Sequence, residues 1–138
     1  MAYSEMKIVA KTNKAHVNNV LLFEYLDQAR QDWYRFSIKT GVESVVVHAG
    51  VSYKKEVFNH NQLLIQTTLD RIGNTSYTLK QNMINHLNEL VVTAEVVLTT
   101  INRQTRMKVN VPEAFHTLLK ENINLNTSQI PNILSIKE

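Results

Sequence analysis

Residues 11–34, KTNKAHVNNVLLFEYLDQARQDWY, join a polar turn to one long amphipathic helix. At 3.6 residues per turn, the apolar side chains fall on one stripe of this helix and the polar side chains on the opposite side. The stripe needs a broad apolar surface, which a sheet formed by the rest of the chain would provide. The apolar stripe consists of Leu22, Tyr25, Leu26, Ala29, Trp33 and Phe36, and the polar face of Glu24, Gln28, Gln31 and Arg35.

The helix has recognisable start and stop signals. Asn18 and Asn19 are good N-cap residues, so the helix is predicted to begin at one of them. It runs to about Lys39, and Gly41 stops it. A helix start presents unpaired backbone N–H groups and the positive end of the peptide dipole, which suit an anion or a polarised carbonyl oxygen.

The rest of the chain has the apolar runs and alternation that are typical of strands. Tight turns join the last three predicted strands into an antiparallel meander. Gly50 marks a bulge or bend, and Pro112 opens a short final helix. The sequence therefore predicts an α+β fold. Strands are predicted over residues 6–10, 45–57, 62–71, 75–85 and 91–101, and residues 107–111 extend the sheet.

Composition limits the class of protein. The chain has 138 residues, no cysteine, and 15 basic against 12 acidic side chains. That length predicts one domain over residues 1–121, followed by a tail (122–138) that is either a docked arm or disordered. Without cysteine there is no disulfide or thiolate zinc site, and a cytoplasmic location is expected. No signal peptide or membrane-spanning run is present.

Charge and histidine spacing exclude two further kinds of site. The basic residues are scattered, which argues against a nucleic-acid partner. No two histidines have a metal-ligand spacing supported by carboxylates, so no metal site is predicted. One helix on a curved sheet leaves at least one edge strand unsatisfied, which predicts self-association as a homodimer.

Three segments resemble the hot-dog-fold acyl-CoA thioesterases of the 4-hydroxybenzoyl-CoA thioesterase type: AHVNNVLLFEYLDQAR, VSYKKEV and RIGNTSYTL. The family pattern combines a D-x-x-G-H-V-N-N turn, a helix with E-x-A-R, a strand ending in Y-x-x-P/E, and a G-x-x-S turn. The resemblance implies an antiparallel sheet wrapped around one long helix, and a dimer, often paired into tetramers, with active sites at its interface. It also implies hydrolysis of acyl-CoA or acyl-carrier-protein thioesters, with coenzyme A as part of the substrate and no other cofactor.

The sequence departs from this family in the turn before the helix. Thr12 stands where the family has its catalytic Asp, and Ala15 replaces the glycine. Neither Thr12 nor the neighbouring Asn13 can act as a carboxylate base. The leading interpretation is a thioester hydrolase, and the alternative is a non-catalytic module that binds acyl-CoA or an acyl carrier protein, or a dimeric scaffold. A hydratase ranks third, because the helix carboxylate and histidine pairing of such enzymes is missing.

A thioester hydrolase must polarise the carbonyl and activate water. By resemblance, the backbone N–H of Asn19 polarises the carbonyl, while the side chain of Asn18 or Asn19 equally suits an N-cap. Asp27, in the E-x-A-R position, is a candidate carboxylate, with an ion pair to Arg30 as its structural interpretation. The imidazole of His16 is a candidate base, although a turn histidine is more often structural.

The resemblance also suggests substrate-binding residues. Tyr53 and Ser76 match family positions near the active site, although Ser76 equally suits a turn hydroxyl after Gly73. Arg71 and Lys54 are plausible partners for the phosphates of coenzyme A, as are Lys55 and Arg103. Charged residues near strand ends are often only solvated, which is the alternative for these cations.

Overall fold

In the computed structural model, residues 2–125 are described, and they form five strands and three helices. The strands form one antiparallel sheet in the order β1-β3-β4-β5-β2. This arrangement confirms the α+β class and the meander of the last three strands. The elements in chain order are β1 (Tyr3–Val9), α1 (Asn19–Ala29), α2 (Gln31–Lys39), β2 (Glu43–Tyr53), β3 (Gln62–Ile72), β4 (Ser76–Asn85), β5 (Leu90–Ile101) and α3 (Glu113–Lys120).

The apolar stripe of α1 and α2 is buried as predicted. All six of its side chains are at most 6% exposed, and the four polar side chains on the opposite side are exposed. α3 packs beside α2, where the rings of Phe36 and Phe115 lie 5.0 Å apart and edge-on. The helices therefore cover the apolar face of the sheet, where alternate β3 residues, Leu63, Ile65, Thr67 and Leu69, are buried.

The prediction of one uninterrupted helix was wrong at a single residue. α1 ends at Ala29 and α2 begins at Gln31, while Arg30 between them has φ −87° and ψ −2°. The Arg30 amide donates to the carbonyl of Asp27 at 3.0 Å, which tightens the last turn of α1. Because only one residue separates the helices, the apolar periodicity continues across the break and the sequence pattern does not reveal it. The stop at Gly41 is confirmed, with a positive φ of 94°.

The Arg30 side chain lies in the core, only 3% exposed, and its donors are satisfied there. The guanidinium donates to Gln81 Oε1 at 2.9 Å, to the Tyr34 hydroxyl at 3.0 Å and to Asp27 Oδ1 at 3.1 Å. Gln81 in turn donates to the carbonyl of Leu26 at 2.9 Å. A buried guanidinium is tolerated only with such partners, so this network fixes the helical layer at one position on β4.

A second buried polar chain ties α2 to the sheet. The Tyr77 hydroxyl donates to Ser44 Oγ at 2.7 Å, Ser44 is hydrogen-bonded to Ser37, and Ser37 donates to the carbonyl of Trp33 at 2.9 Å. Burial raises the pKa of Tyr77 to about 12, which keeps its hydroxyl protonated as the donor. This chain links β4, β2 and α2.

The second strand differs from its prediction in length and irregularity. β2 ends at Tyr53 instead of residue 57, because the amides of Lys54 and Lys55 both donate to the carbonyl of Val91, at 2.7 and 3.2 Å, and the ladder stops. The bulge lies between Val46 and His48, and Gly50 pairs regularly with Glu95. The predicted bulge at Gly50 was therefore wrong.

The end of the described chain lies against β1. The predicted extension by residues 107–111 is reduced to one isolated bridge, between Ile101 and Lys108. Within the predicted tail, the carbonyl of Ile123 accepts from the Tyr3 amide at 2.9 Å, and the Leu125 amide donates to the Tyr3 carbonyl at 2.8 Å. The tail therefore begins as a docked arm, and its residues 126–138 lie outside the described residues. No helix within residues 2–125 is long and apolar enough to span a bilayer.

Removal of the buried guanidinium should destabilise the fold strongly. Arg30→Ala should lower the free energy of unfolding by about 3 kcal/mol or more, because Gln81 Oε1 loses its buried donor and the missing side chain leaves a cavity in the core. Arg35→Ala is the matched control, since Arg35 also pairs with an aspartate three residues away but is exposed. Arg35→Ala should lower the free energy of unfolding by less than about 1 kcal/mol. Equal losses in urea denaturation would contradict the structural role of Arg30.

Candidate active site

The turn before α1 is held against the segment that follows β2. The Val17 amide donates to the carbonyl of Val57 at 2.8 Å, and both side chains are buried, at 3% and 1% exposed. His16 and Phe58 form an isolated antiparallel bridge next to this hydrogen bond. The four residues on either side of the two valines are exposed, namely His16, Asn18, Glu56 and Phe58.

Two backbone amides at the start of α1 are free. Asn18 is the N-cap: its Oδ1 accepts from the Leu21 amide at 2.9 Å, and its carbonyl accepts from the Leu22 amide at 3.2 Å. Among residues 2–125, nothing accepts from the amides of Asn19 and Val20. These N–H groups lie at the positive end of the helix dipole, where they can bind an oxygen with partial or full negative charge.

A cavity of about 380 Å³ opens at this helix start. It brings together six residues predicted from the sequence, and the Tyr53 hydroxyl donates to the carbonyl of Asn19 at 3.3 Å. The side chains around it combine cations, one carboxylate and an imidazole with apolar walls. The lining residues are His16, Val17, Asn18, Asn19, Leu22, Tyr53, Lys54, Lys55, Glu56 and Val57.

The charged side chains around the cavity differ in whether they form ion pairs. Lys55 forms an ion pair with Glu89, whose pKa is lowered by a hydrogen bond from Asn85 and by Lys55. Lys54 and Glu56 form no ion pair with any of residues 2–125. Within the described residues, Lys54 and Glu56 are therefore the lysine and the carboxylate of this cavity that form no ion pair.

Glu56 was missed by the sequence analysis. In the sequence it follows two lysines in a segment predicted to be strand, where a charged residue suggests only a solvated position. Its location beside the helix start depends on a contact between segments 40 residues apart, Val17 with Val57. The available signal was the spacing Tyr53-x-x-Glu56, which matches the Y-x-x-P/E pattern quoted above.

Thr12 and Asn13 do not line the cavity. The Thr12 amide donates to Asn59 Oδ1 at 2.9 Å, and Thr12 Oγ1 accepts from the Lys14 amide at 3.2 Å. Thr12 thereby shapes the turn and connects it to the segment before β3. Asn13 is exposed.

Asp27 lies away from the helix start. Eight residues separate it from Asn19, which is about 12 Å along the helix. Its Oδ1 accepts from Arg30 at 3.1 Å and from the Tyr34 hydroxyl at 3.2 Å, so the ion pair expected from the i,i+3 spacing is present. Asp27 thus belongs to the Arg30 network, outside the cavity.

Ser76 and Arg71 also lie outside the cavity. Ser76 pairs with Thr99, which pairs with Val45 at the start of β2. Tyr53 at the other end of β2 is therefore about 25 Å away. Arg71 is exposed on the sheet and bonded to Asp70 at 2.8 Å and to Glu95 at 3.3 Å.

Another cavity, of about 370 Å³, lies between β1, β3 and β4. Its ionisable side chains are Lys7 and His86, and no helix begins there. Carbonyl chemistry therefore has more support at the start of α1. Within residues 2–125, no group of His, Cys, Asp and Glu side chains is arranged to hold a metal ion.

Comparison with known proteins identifies the family. Residues 12–119 match the thioesterase-like superfamily. The chain belongs to this superfamily. The match includes the helix start, strands β2 to β5 and nearly all of α3, and it leaves out β1. A search of curated proteins finds no match.

Solved structures with the same fold include several named thioesterases. A DHNA-CoA thioesterase from Staphylococcus aureus is 22% identical with a TM-score of 0.72, and the alignment covers 87% of this chain and 90% of that one. A predicted thioesterase from Bacillus stearothermophilus is 17% identical with a TM-score of 0.77, covering 88% and 96%. A Staphylococcus aureus protein described in complex with CoA is 15% identical with a TM-score of 0.72, covering 84% and 80%. The hot-dog fold and the resemblance to its thioesterases are confirmed.

Proposed function

We propose that this protein hydrolyses acyl-CoA thioesters in the cavity at the start of α1. The observation that carries the proposal is the pair of free amides, Asn19 and Val20, at the positive end of a helix that opens onto that cavity. Membership of the thioesterase-like superfamily supports the reaction class. The similar proteins described as a DHNA-CoA thioesterase and as a CoA complex support coenzyme A as the carrier.

Hydrolysis proceeds by attack of water on the thioester carbonyl carbon. The carbonyl oxygen gains negative charge in the transition state, and the amides of Asn19 and Val20 stabilise it by hydrogen bonding. The new C–O bond forms and the C–S bond breaks, which gives a carboxylic acid and the free thiol of coenzyme A. Water must lose a proton during the attack. Among the side chains lining the cavity, the His16 imidazole and the Glu56 carboxylate are the groups suited to accept it.

The coenzyme A end and the acyl end of an acyl-CoA bind to different surfaces beside the helix start. Lys54, which has no ion pair within residues 2–125, is suited to a phosphate of coenzyme A. The acyl group needs an apolar surface, and Val20, Phe23 and Phe58 are 63%, 40% and 47% exposed next to the free amides. Asn18 and Tyr53 complete the binding surface by fixing the first turn of the helix.

We also propose that two copies associate through β2. This strand is at the end of the sheet, and its outer edge pairs with none of residues 2–125. Val46, Val47 and Tyr53 along it are 41%, 56% and 42% exposed, which is unusual for an isolated edge strand. Antiparallel pairing of two β2 strands brings the Ser76 end of one copy towards the Tyr53 end of the other. That arrangement supports a role for Ser76 next to the cavity of a second copy.

The alternative function is a non-catalytic module that binds acyl-CoA or an acyl carrier protein. The replacement of the family's catalytic Asp by Thr12 favours it. In such a module the same free amides and Lys54 would hold the ligand, and the thioester would stay intact.

Release of free thiol separates the two functions. The purified protein, offered short-chain, long-chain and aromatic acyl-CoAs, should release coenzyme A from at least one of them with saturation kinetics. The thiol is followed with a colorimetric reagent, and ligand binding is measured in parallel by calorimetry. Tight binding of an acyl-CoA with no thiol release from any substrate would establish the module instead.

Lys54 should matter for the nucleotide part of the substrate. Lys54→Ala should raise KM for an acyl-CoA roughly fivefold, as the loss of about 1 kcal/mol in binding predicts. The same variant should leave KM for the corresponding acyl-pantetheine, which lacks the nucleotide phosphates, unchanged. Lys120→Ala, in the last turn of α3, is the control for a general loss of positive charge. Equal effects of Lys54→Ala on both substrates would contradict the phosphate contact.

The proposed β2 contact is tested by a charge on the strand. Val47→Lys should shift the protein from dimer to monomer in analytical ultracentrifugation, because it replaces an apolar side chain of the contact with a cation that has no partner in the second copy. Leu87→Lys introduces the same change at an apolar side chain that is 66% exposed in the β4–β5 turn, and it should leave the dimer intact. A wild-type monomer, or a dimer unaffected by Val47→Lys, would contradict association through β2.

A further inference from the structure

We propose that Glu56 is the catalytic base, the group that takes the proton from the attacking water. The assignment rests on the proposed thioester hydrolysis and specifies how the same cavity performs it. Glu56 is the carboxylate among the side chains that line this cavity. Two other candidates from the sequence, the carboxylate of Asp27 and the carboxamide of Asn13, do not line the cavity.

The position of Glu56 follows from the contact between Val17 and Val57. Val57 is buried, whereas the adjacent Glu56 is exposed and lines the cavity. The Val17–Val57 hydrogen bond and the His16–Phe58 bridge hold the Glu56 segment beside Asn18 and the free amides, whose residues line the same cavity. A glutamate side chain at that point reaches a water beside a carbonyl held by those amides.

The Glu56 carboxylate is also available for proton transfer. It forms no hydrogen bond or ion pair with any of residues 2–125, whereas its neighbour Lys55 is engaged by Glu89. Lys54 and Lys55, which precede Glu56 in the sequence, line the same cavity.

His16 is less well positioned for the same role. It pairs with Phe58 in an isolated bridge and precedes Asn19 by three residues. His16 and Glu56 line the same cavity. His16 is therefore suited to orient the water that Glu56 deprotonates.

The hydrolysis needs no reactant other than water and the thioester. Glu56 accepts one proton from water as the water oxygen bonds to the carbonyl carbon. Collapse of the tetrahedral intermediate breaks the C–S bond, and the proton held by Glu56 passes to the departing thiolate. The carboxylate is regenerated, and the products are the acid and free coenzyme A.

The experiment compares Glu56→Gln with the wild type on the acyl-CoA that the wild type hydrolyses best. Glu56→Gln should lower kcat by about a hundredfold or more with little change in KM, the usual contribution of a general base. Glu56→Asp should retain part of the activity. Glu24→Gln removes an exposed carboxylate of α1 that does not line the cavity, and its kcat should stay close to the wild-type value. Circular dichroism and thermal melting check that each variant is folded.

Chemical rescue separates a base from a structural residue. In Glu56→Ala, added sodium formate should restore part of kcat, because a small carboxylate can occupy the vacated space, and sodium chloride at equal ionic strength should not. A Glu56→Gln variant with near wild-type kcat, or a folded Glu56→Ala that formate does not rescue, overturns the assignment while the hydrolase function stands. If the wild type hydrolyses no acyl-CoA, the proposed function fails, and the role of Glu56 fails with it.

Discussion

The buried guanidinium of Arg30 is the constraint on which the geometry of this protein depends. It is 3% exposed and must keep its partners, so it fixes α1 and α2 at one position against Gln81 on β4. The tight turn between the helices presents the side chain to Gln81, Tyr34 and Asp27 together. If the helices shifted along the sheet, the Arg30 charge would be left unpaired in the core. The resulting loss of folding free energy is far larger than the free energy that an exposed ion pair contributes.

The position of the candidate site follows from that anchor. Asn19 lies eleven residues before Arg30, about 16 Å along α1, so the free amides emerge where β2 ends and the chain turns towards β3. There the Val17–Val57 contact holds the helix start against the segment that carries Lys54, Lys55 and Glu56. A single buried network thus determines where the positive end of the helix meets the charged side chains, although none of its residues lines the cavity.

Much of the fold could be predicted from the sequence, because it depends on local periodicity. The stripe from Leu22 to Phe36 and the alternation in β3 each report which side chains face the core. The break at Arg30 could not be predicted, because one non-helical residue hardly changes the spacing of the apolar side chains along the sequence. The end of β2 was misjudged because Val57 is buried like a strand residue but bonds to the helix turn. The lining of the candidate site could be predicted in part: the motif pointed to the helix start, His16 and Tyr53, and the charge pattern to Lys54, whereas Glu56 required a contact between distant segments.

The central claim is that the amides of Asn19 and Val20 hold the thioester oxygen. It is tested most directly by following the backbone ¹⁵N–¹H NMR signals of the protein during titration with a non-hydrolysable acyl-CoA in which a ketone replaces the thioester. We expect the amide signals of Asn19 and Val20 to shift most, in the direction of stronger hydrogen bonding. Unchanged signals at these two residues, with the largest shifts at Ile84 and His86 around the other cavity, would contradict it.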